Sequence, residues 1–299
     1  MISQEEFLNL SSDEAAKLVR ASGDKVVVFP INGTRRWFTL EHGGEAHDNP
    51  VKAYMDQTAE SHIQLYRLFF QHGIETLITP VFGPDLLLRS DEYMRRIGAA
   101  GLAMLTEHPA FLDFYERDEV RVHFYGDHRR YLDGTEFSHL SDKFDAITEK
   151  TRNHKRFRLF FGVFGNDATQ AAAEYSIQYF QQHKRIPEKR ELIEMYYGEA
   201  IGPVSLFIGF DRFSVYDMPL IATGEEDLYF TVSPSLYMNT AQLRRILYDH
   251  LYTRRCPDPD YDHMSTDELQ ELRNYYVQNR EHTLGIGKLI HSIWTPALQ

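Results

Sequence analysis

KVVVFPINGTRRWF, residues 25–38, decides how this chain is read. Its first half is a continuous apolar run, Val26-Val27-Val28-Phe29, of the kind that forms a strand covered on both faces. Its second half turns at once to Asn32-Gly33-Thr34-Arg35-Arg36. Ligands of open parallel sheets gather outside the carboxyl ends of the strands. A glycine that lets backbone approach, a hydroxyl donor and two guanidinium forks at such a point suit a cradle for phosphate oxygens. By composition alone the same residues suit a solvated basic turn, and the position after a strand is what favours a site.

Working outward, five more apolar runs read as buried strands: 75–82, 120–126, 158–165, 204–210 and 227–232. Between them, helical spacing covers 52–72, where Met55, Ile63, Tyr66, Leu68 and Phe69 recur, and then 91–116, 167–184 and 188–199. A strand, helix, strand, helix order predicts an α/β fold, an open and mostly parallel sheet flanked by helices. RRCPDPDYDH, 254–263, reads as a turn-rich loop before a last helix over 265–281. No repeat, linker or break in composition divides the chain, so one domain over residues 1–299 is expected.

The formal net charge of −12 argues against non-specific binding to nucleic acid or an anionic membrane, and it requires any anionic ligand to meet a local basic patch. Cys256 is the single cysteine, which excludes an internal disulfide, and it has no CxxC or Cys/His spacing around it for zinc. The first 23 residues have early acidic groups and no apolar stretch of export-signal length, and no run approaches a membrane span. A cytoplasmic enzyme is expected. No HExxH or HxxxH pattern, no DDxxD string and no GxxxxGK[ST] loop occurs, against a zinc hydrolase, an all-helical terpene synthase and a P-loop.

The 29–38 stretch resembles the Asp-Gly-Asn-x-Arg-Trp signature of the cis-prenyltransferases, the undecaprenyl diphosphate synthase family. Further strings follow in the same order within 25–255: Gly73-Ile74-Glu75-Thr76-Leu77, Phe124-Tyr125-Gly126-Asp127, Arg212-Phe213-Ser214 and Asp227-Leu228-Tyr229-Phe230-Thr231. Longer strings at 33–38, 72–76, 161–168 and 243–250 are similar to a branch of that family acting on preformed bicyclic diterpenyl diphosphates, with loss of diphosphate and capture of the allylic cation. The resemblance covers nearly the whole chain and implies a homodimer.

On that resemblance, Arg35 and Arg36 grip the departing diphosphate while Gly33 and Thr34 donate to it, stabilising charge that develops in the transition state. Tyr54 falls where the branch has a tyrosine near the reacting centre; it holds a cation by its π face or merely packs. Arg212 and Ser214 correspond to the pair that binds a second diphosphate in chain-elongating relatives. The second arginine of that elongating site would lie six residues earlier, where Leu206 stands, so elongation is not expected. Asn32 is the main departure, since the family has aspartate there. Three explanations stay open: a different ionisation geometry, a non-catalytic binding relative, or a substitution that traps substrate. Asp227 stands where elongating relatives have a magnesium ligand, so it either recruits Mg2+ through the diphosphate or is a surface aspartate leading a strand.

The expectation is a diterpene synthase that ionises a halimadienyl- or labdadienyl-type diphosphate and ends by water capture or deprotonation. The alternatives are prenyl transfer to a nucleoside such as adenosine, and a catalytically silent subunit that binds prenyl diphosphate. An aromatic content of 13% suits walls that shield a cation, and it suits a plain core equally.

Overall fold

All six apolar runs form strands in the computed structural model of the protein, which describes residues 2–83, 89–165, 167–216, 218–257 and 259–297. They are β1 (Val26–Val28), β2 (Thr76–Phe82), β3 (Val120–Tyr125), β4 (Phe157–Val163), β5 (Leu206–Phe210) and β6 (Asp227–Thr231). The sheet runs β3-β4-β2-β1-β5-β6, and every pairing is parallel. Val27 lies level with Leu77 on one side and Leu206 on the other, and Leu206 lies level with Asp227. That register puts the segments following β1 and β5 side by side at the carboxyl end.

Both faces are covered, which is why the strands are apolar without alternation. On one face the helix Pro50–Gln71, capped by Asn49, packs Tyr66 and Phe69 among Phe29, Phe114 and Phe161. Phe70 stacks on Phe157 with centroids 4.2 Å apart. On the other face Val28, Ile78, Phe160 and Phe207 pack with Tyr197, at the end of the helix Lys189–Tyr197.

The expected helix over 91–116 is interrupted. A five-residue π-turn at Met94–Gly98 leads into Ala99–Glu107, and a new helix starts at Pro109. His108 is extended there (φ −66°, ψ 125°), because the residue before a proline avoids helical backbone. Short helices at Gln4–Asn9 and Ser12–Ala21, each with a Ser/Glu capping box, precede the sheet, and an antiparallel hairpin, β7 (Gly287–Ile290) with β8 (Ile293–Pro296), closes the described chain. Among the described residues no helix is long and apolar enough to cross a membrane.

Candidate active site

Beyond β1 the chain is held by Ser235, a fully buried residue after β6. Asn32 N–H donates to Ser235 Oγ (3.0 Å), and Ser235 N–H donates back to the Asn32 carbonyl (3.1 Å). Gly33 then takes left-handed backbone (φ 78°) and starts the helix Thr34–His42. A Cβ at Gly33 would stand 2.8 Å from the Phe210 ring and 3.0 Å from Pro234 Cβ, so space and backbone both demand glycine. No side chain caps this helix, and its first N–H groups point where the dipole favours an anion.

Four arginines stand around this turn. Arg35 lies 5.2 Å and Arg89 4.8 Å from the centre of the Tyr93 ring. Arg36 lies 5.2 Å from the Phe210 centroid and reaches Asp211 Oδ2 at 3.4 Å. Arg212 and Ser214 share a cavity of about 290 Å³ with Asn32, Arg36 and Asp211. The structure therefore brings together Asn32, Gly33, Thr34, Arg35, Arg36, Arg212 and Ser214. Tyr54 joins them from the next helix, its hydroxyl sharing a 2.8 Å hydrogen bond with Thr34 Oγ1. Burial raises the Tyr54 phenol above its ordinary value and keeps it neutral.

Next to the turn opens a large cavity, about 1020 Å³, lined by Met55, Val81, Phe82, Ile97 and Met104 among others. Its size and apolar walls suit a large hydrocarbon. A cationic, N–H-rich mouth beside such a cavity can separate a diphosphate from a carbon chain and hold both.

Two readings of the sequence need correction. Asp227 is not at this site. It opens β6 level with Leu206 and Val27, at the amino end of the sheet, while the cradle follows the carboxyl ends. Five residues of β5 at about 3.3 Å each put roughly 16 Å between those levels. Asp227 is 7% exposed and accepts from His250 Nδ1 (2.6 Å) and Arg255 Nη2 (2.9 Å), so its charge is already satisfied. Within one chain it is a buried anchor for the segment after Tyr248, not a metal ligand. Leu206 is wholly buried at that same level, so no side chain there would reach an anion at Arg212. Its identity does not bear on whether a second diphosphate binds.

Sequence reasoning missed Asp211, Arg89, Tyr216 and His62. Asp211 follows β5 in left-handed backbone (φ 69°), and its Oδ1 is buried without a hydrogen-bond partner. Asn32 Nδ2–H donates to the Tyr216 hydroxyl oxygen at 2.5 Å. No string of neighbouring residues signals Asp211 or Tyr216, because the β1–β5 pairing and the loop after β5 create their contacts.

No profile of a known protein family matches the chain. It is 43% identical over 296 residues, 98% of both chains, to tuberculosinyl adenosine transferase of Mycobacterium tuberculosis. It is 24% identical over 281 residues, 93% of this chain and 91% of the other, to (+)-kolavelool synthase of Herpetosiphon aurantiacus. Among solved structures it resembles lavandulyl diphosphate synthase of Lavandula x intermedia, crystallised with dimethylallyl diphosphate (TM-score 0.61, 13% identity, 78% of this chain and 97% of the other). It also resembles a probable undecaprenyl diphosphate synthase of Campylobacter jejuni (TM-score 0.53, 14% identity, 79% and 97%). At such identities the solved structures speak for the fold alone, while the first relative, matched along nearly the full length, carries the family. The chain is a cis-prenyltransferase-like enzyme of transferase or lyase type and belongs to the family of tuberculosinyl adenosine transferase.

Proposed function

We propose that the chain, acting as one domain, ionises a bicyclic diterpenyl diphosphate of halimadienyl or labdadienyl type. The allylic C–O bond breaks, its electron pair leaves with the diphosphate, and the cation ends by capturing water or losing a proton. The observation that carries this reading is the join between the Gly33–Arg36 turn and the large apolar cavity. The free N–H groups of the helix, Arg35 and Arg36 meet charge that grows on the leaving oxygens. Tyr54, neutral and hydrogen-bonded to Thr34, lines the cavity beside the turn, where its ring would meet a cation formed as the carbon chain leaves the diphosphate.

Asn32 supplies an amide where a carboxylate would be expected, and Asp211 supplies the carboxylate from the neighbouring strand. Mg2+ commonly keeps several waters and takes one or two carboxylates with substrate phosphates. The unpartnered Asp211 Oδ1, beside Asn32 and Arg36, fits one such ligand. When bound, the ion would neutralise diphosphate charge, with Asp211 and the diphosphate oxygens as its holders.

A second reading is favoured by one observation, the 43% identity to a protein named for transfer to adenosine: the same cation passes to a nucleoside instead of water. Incubating purified protein with geranylgeranyl and bicyclic diterpenyl diphosphates, with and without Mg2+ and adenosine, separates the readings. Diphosphate release with terpene alcohol or alkene, abolished in Arg36→Ala, supports the synthase. A cationic prenyl nucleoside formed only with adenosine supports transfer. Binding without any release from the bicyclic substrates leaves a silent subunit.

We further propose a cytoplasmic homodimer. The helix Thr266–Asn279 has no buried residue, and Tyr275, Tyr276, Leu284 and Leu289 are 61%, 60%, 88% and 72% exposed. A second copy would cover this apolar arm.

A further inference from the structure

Tyr54, Thr58 and His62 recur every fourth residue on the helix Pro50–Gln71, so they share one face, and all three line the large cavity. Tyr54 marks the diphosphate end through its bond to Thr34. At 1.5 Å per residue His62 lies about 12 Å further along the helix, alongside the end of a substrate remote from its diphosphate. The neighbouring walls are apolar, yet His62 is 6% exposed and neither ring nitrogen has a hydrogen-bond partner. Thr58 Oγ1 is buried as well and lies too loosely against Tyr54 for a hydrogen bond of ordinary geometry.

Buried polar groups left unpaired oppose folding, and a structural histidine would normally find a carbonyl or carboxylate. Elsewhere in this chain buried histidines do: His72 Nδ1 lies 2.8 Å from the Leu68 carbonyl and His250 Nδ1 2.6 Å from Asp227. His62 instead lines the cavity with both ring nitrogens buried. Burial pushes its pKa down to about 3, so the ring is neutral and offers one N–H and one lone pair. With the Thr58 hydroxyl it presents donors and acceptors about one helical turn apart. The complement of that pair is an oxygen that both donates and accepts. A pure hydrocarbon would leave all three atoms unsatisfied.

We infer that Thr58 and His62 form a polar subsite at the hydrocarbon end of the cavity that binds a hydroxyl-type oxygen, carried by the substrate itself or by a water held there. The inference rests on the prenyl diphosphate reading and narrows it. A substrate hydroxyl there would make the enzyme select an oxygenated bicyclic diphosphate over its hydrocarbon counterpart. A held water would instead bias how the reaction ends.

The test uses unreactive thiolodiphosphates of a bicyclic diterpenyl group, with and without a hydroxyl on the ring remote from the diphosphate. Their binding to the full chain, His62→Leu and Thr58→Val is measured by calorimetry, with the alcohol-to-alkene ratio from the reactive substrates run beside it. Tighter binding of the hydroxylated analogue by about tenfold, one well-made hydrogen bond, and loss of that preference in both variants assigns the oxygen to the substrate. Equal binding of the two analogues, with a product ratio that shifts in both variants, assigns it to water. Unchanged preference and unchanged ratio in both variants would overturn the inference while leaving the diphosphate reading intact. Failure of any thiolodiphosphate to bind removes that reading, and the inference with it. Melting temperature gives a further check: free of ligand, His62→Leu is expected to melt higher than the parent, because two unmade hydrogen bonds are removed. A lower melting temperature together with unaltered preference would make His62 a purely structural residue.

Discussion

Asp211 occupies left-handed backbone, which costs a non-glycine residue about 1–2 kcal/mol, and it buries one carboxylate oxygen without a partner. Strain and a buried carboxylate oxygen without a partner at one residue, beside Arg36 and Asn32, are the pattern expected where a side chain is kept for chemistry. Asp211→Asn, which keeps the shape and tolerates the backbone, is expected to slow diphosphate release on the order of 100-fold with little change in melting temperature. The double variant Asn32→Asp/Asp211→Asn is expected to recover most of that loss. Full turnover in Asp211→Asn would remove the carboxylate from the mechanism. The sequence showed that an aspartate was missing at position 32, and it could not show where a replacement lay. Asp211 reaches Asn32 only through the pairing of β1 with β5 and a turn that propensity does not foresee. The same register explains why Asp227, sitting in a family-like string, belongs to the other end of the sheet.

At the scale of elements, Glu199 joins three pieces of the fold away from the site. Its Oε2 accepts from Arg121 Nη1 (2.8 Å) and lies 3.0 Å from His123 Nε2, both on β3, and Arg158 of β4 approaches Oε1 at 3.4 Å. It follows the helix Lys189–Tyr197, so one carboxylate ties that helix to the β3–β4 edge. The His123 hydrogen bond, with help from Arg121, lowers its pKa to about 2 against partial burial. A carboxyl depressed in the folded state stabilises above its unfolded value near 4.5, and that contribution fades as pH falls from there toward 2. Glu199→Gln is therefore expected to melt below the parent at pH 6, to converge with it as pH approaches 2, and to release diphosphate normally at neutral pH. A constant gap in melting temperature at all pH values would deny the ionic contribution. The strands were legible because burial on both faces imposes unbroken apolar runs. The clamp was not, since Arg121, Arg158 and Glu199 are far apart in sequence. Nor was the break at His108, where Pro109 overrules an apolar pattern that continues through it.

Charge and apolar surface are distributed unevenly over the molecule as a whole. The chain carries −12, yet Arg35, Arg36, Arg89 and Arg212 gather at the carboxyl end of the sheet beside the large cavity, which gives an anionic substrate a place to settle there. The second asymmetry is in the core, whose last buried residue among those described is His250. The helix Thr266–Asn279 and the β7–β8 hairpin beyond it add exposed tyrosine, leucine and isoleucine without burying any residue. A chain ending after residue 263 keeps Arg254 and Arg255 on Asp227 and loses no buried side chain. It is expected to fold with a melting temperature within a few degrees of the parent. If the arm serves a second copy, light scattering on this chain gives the monomer mass while the full chain gives twice that. Tyr275→Glu with Leu289→Lys in the full-length protein tests the same surface without truncation, and a dimer that survives both changes places the interface elsewhere.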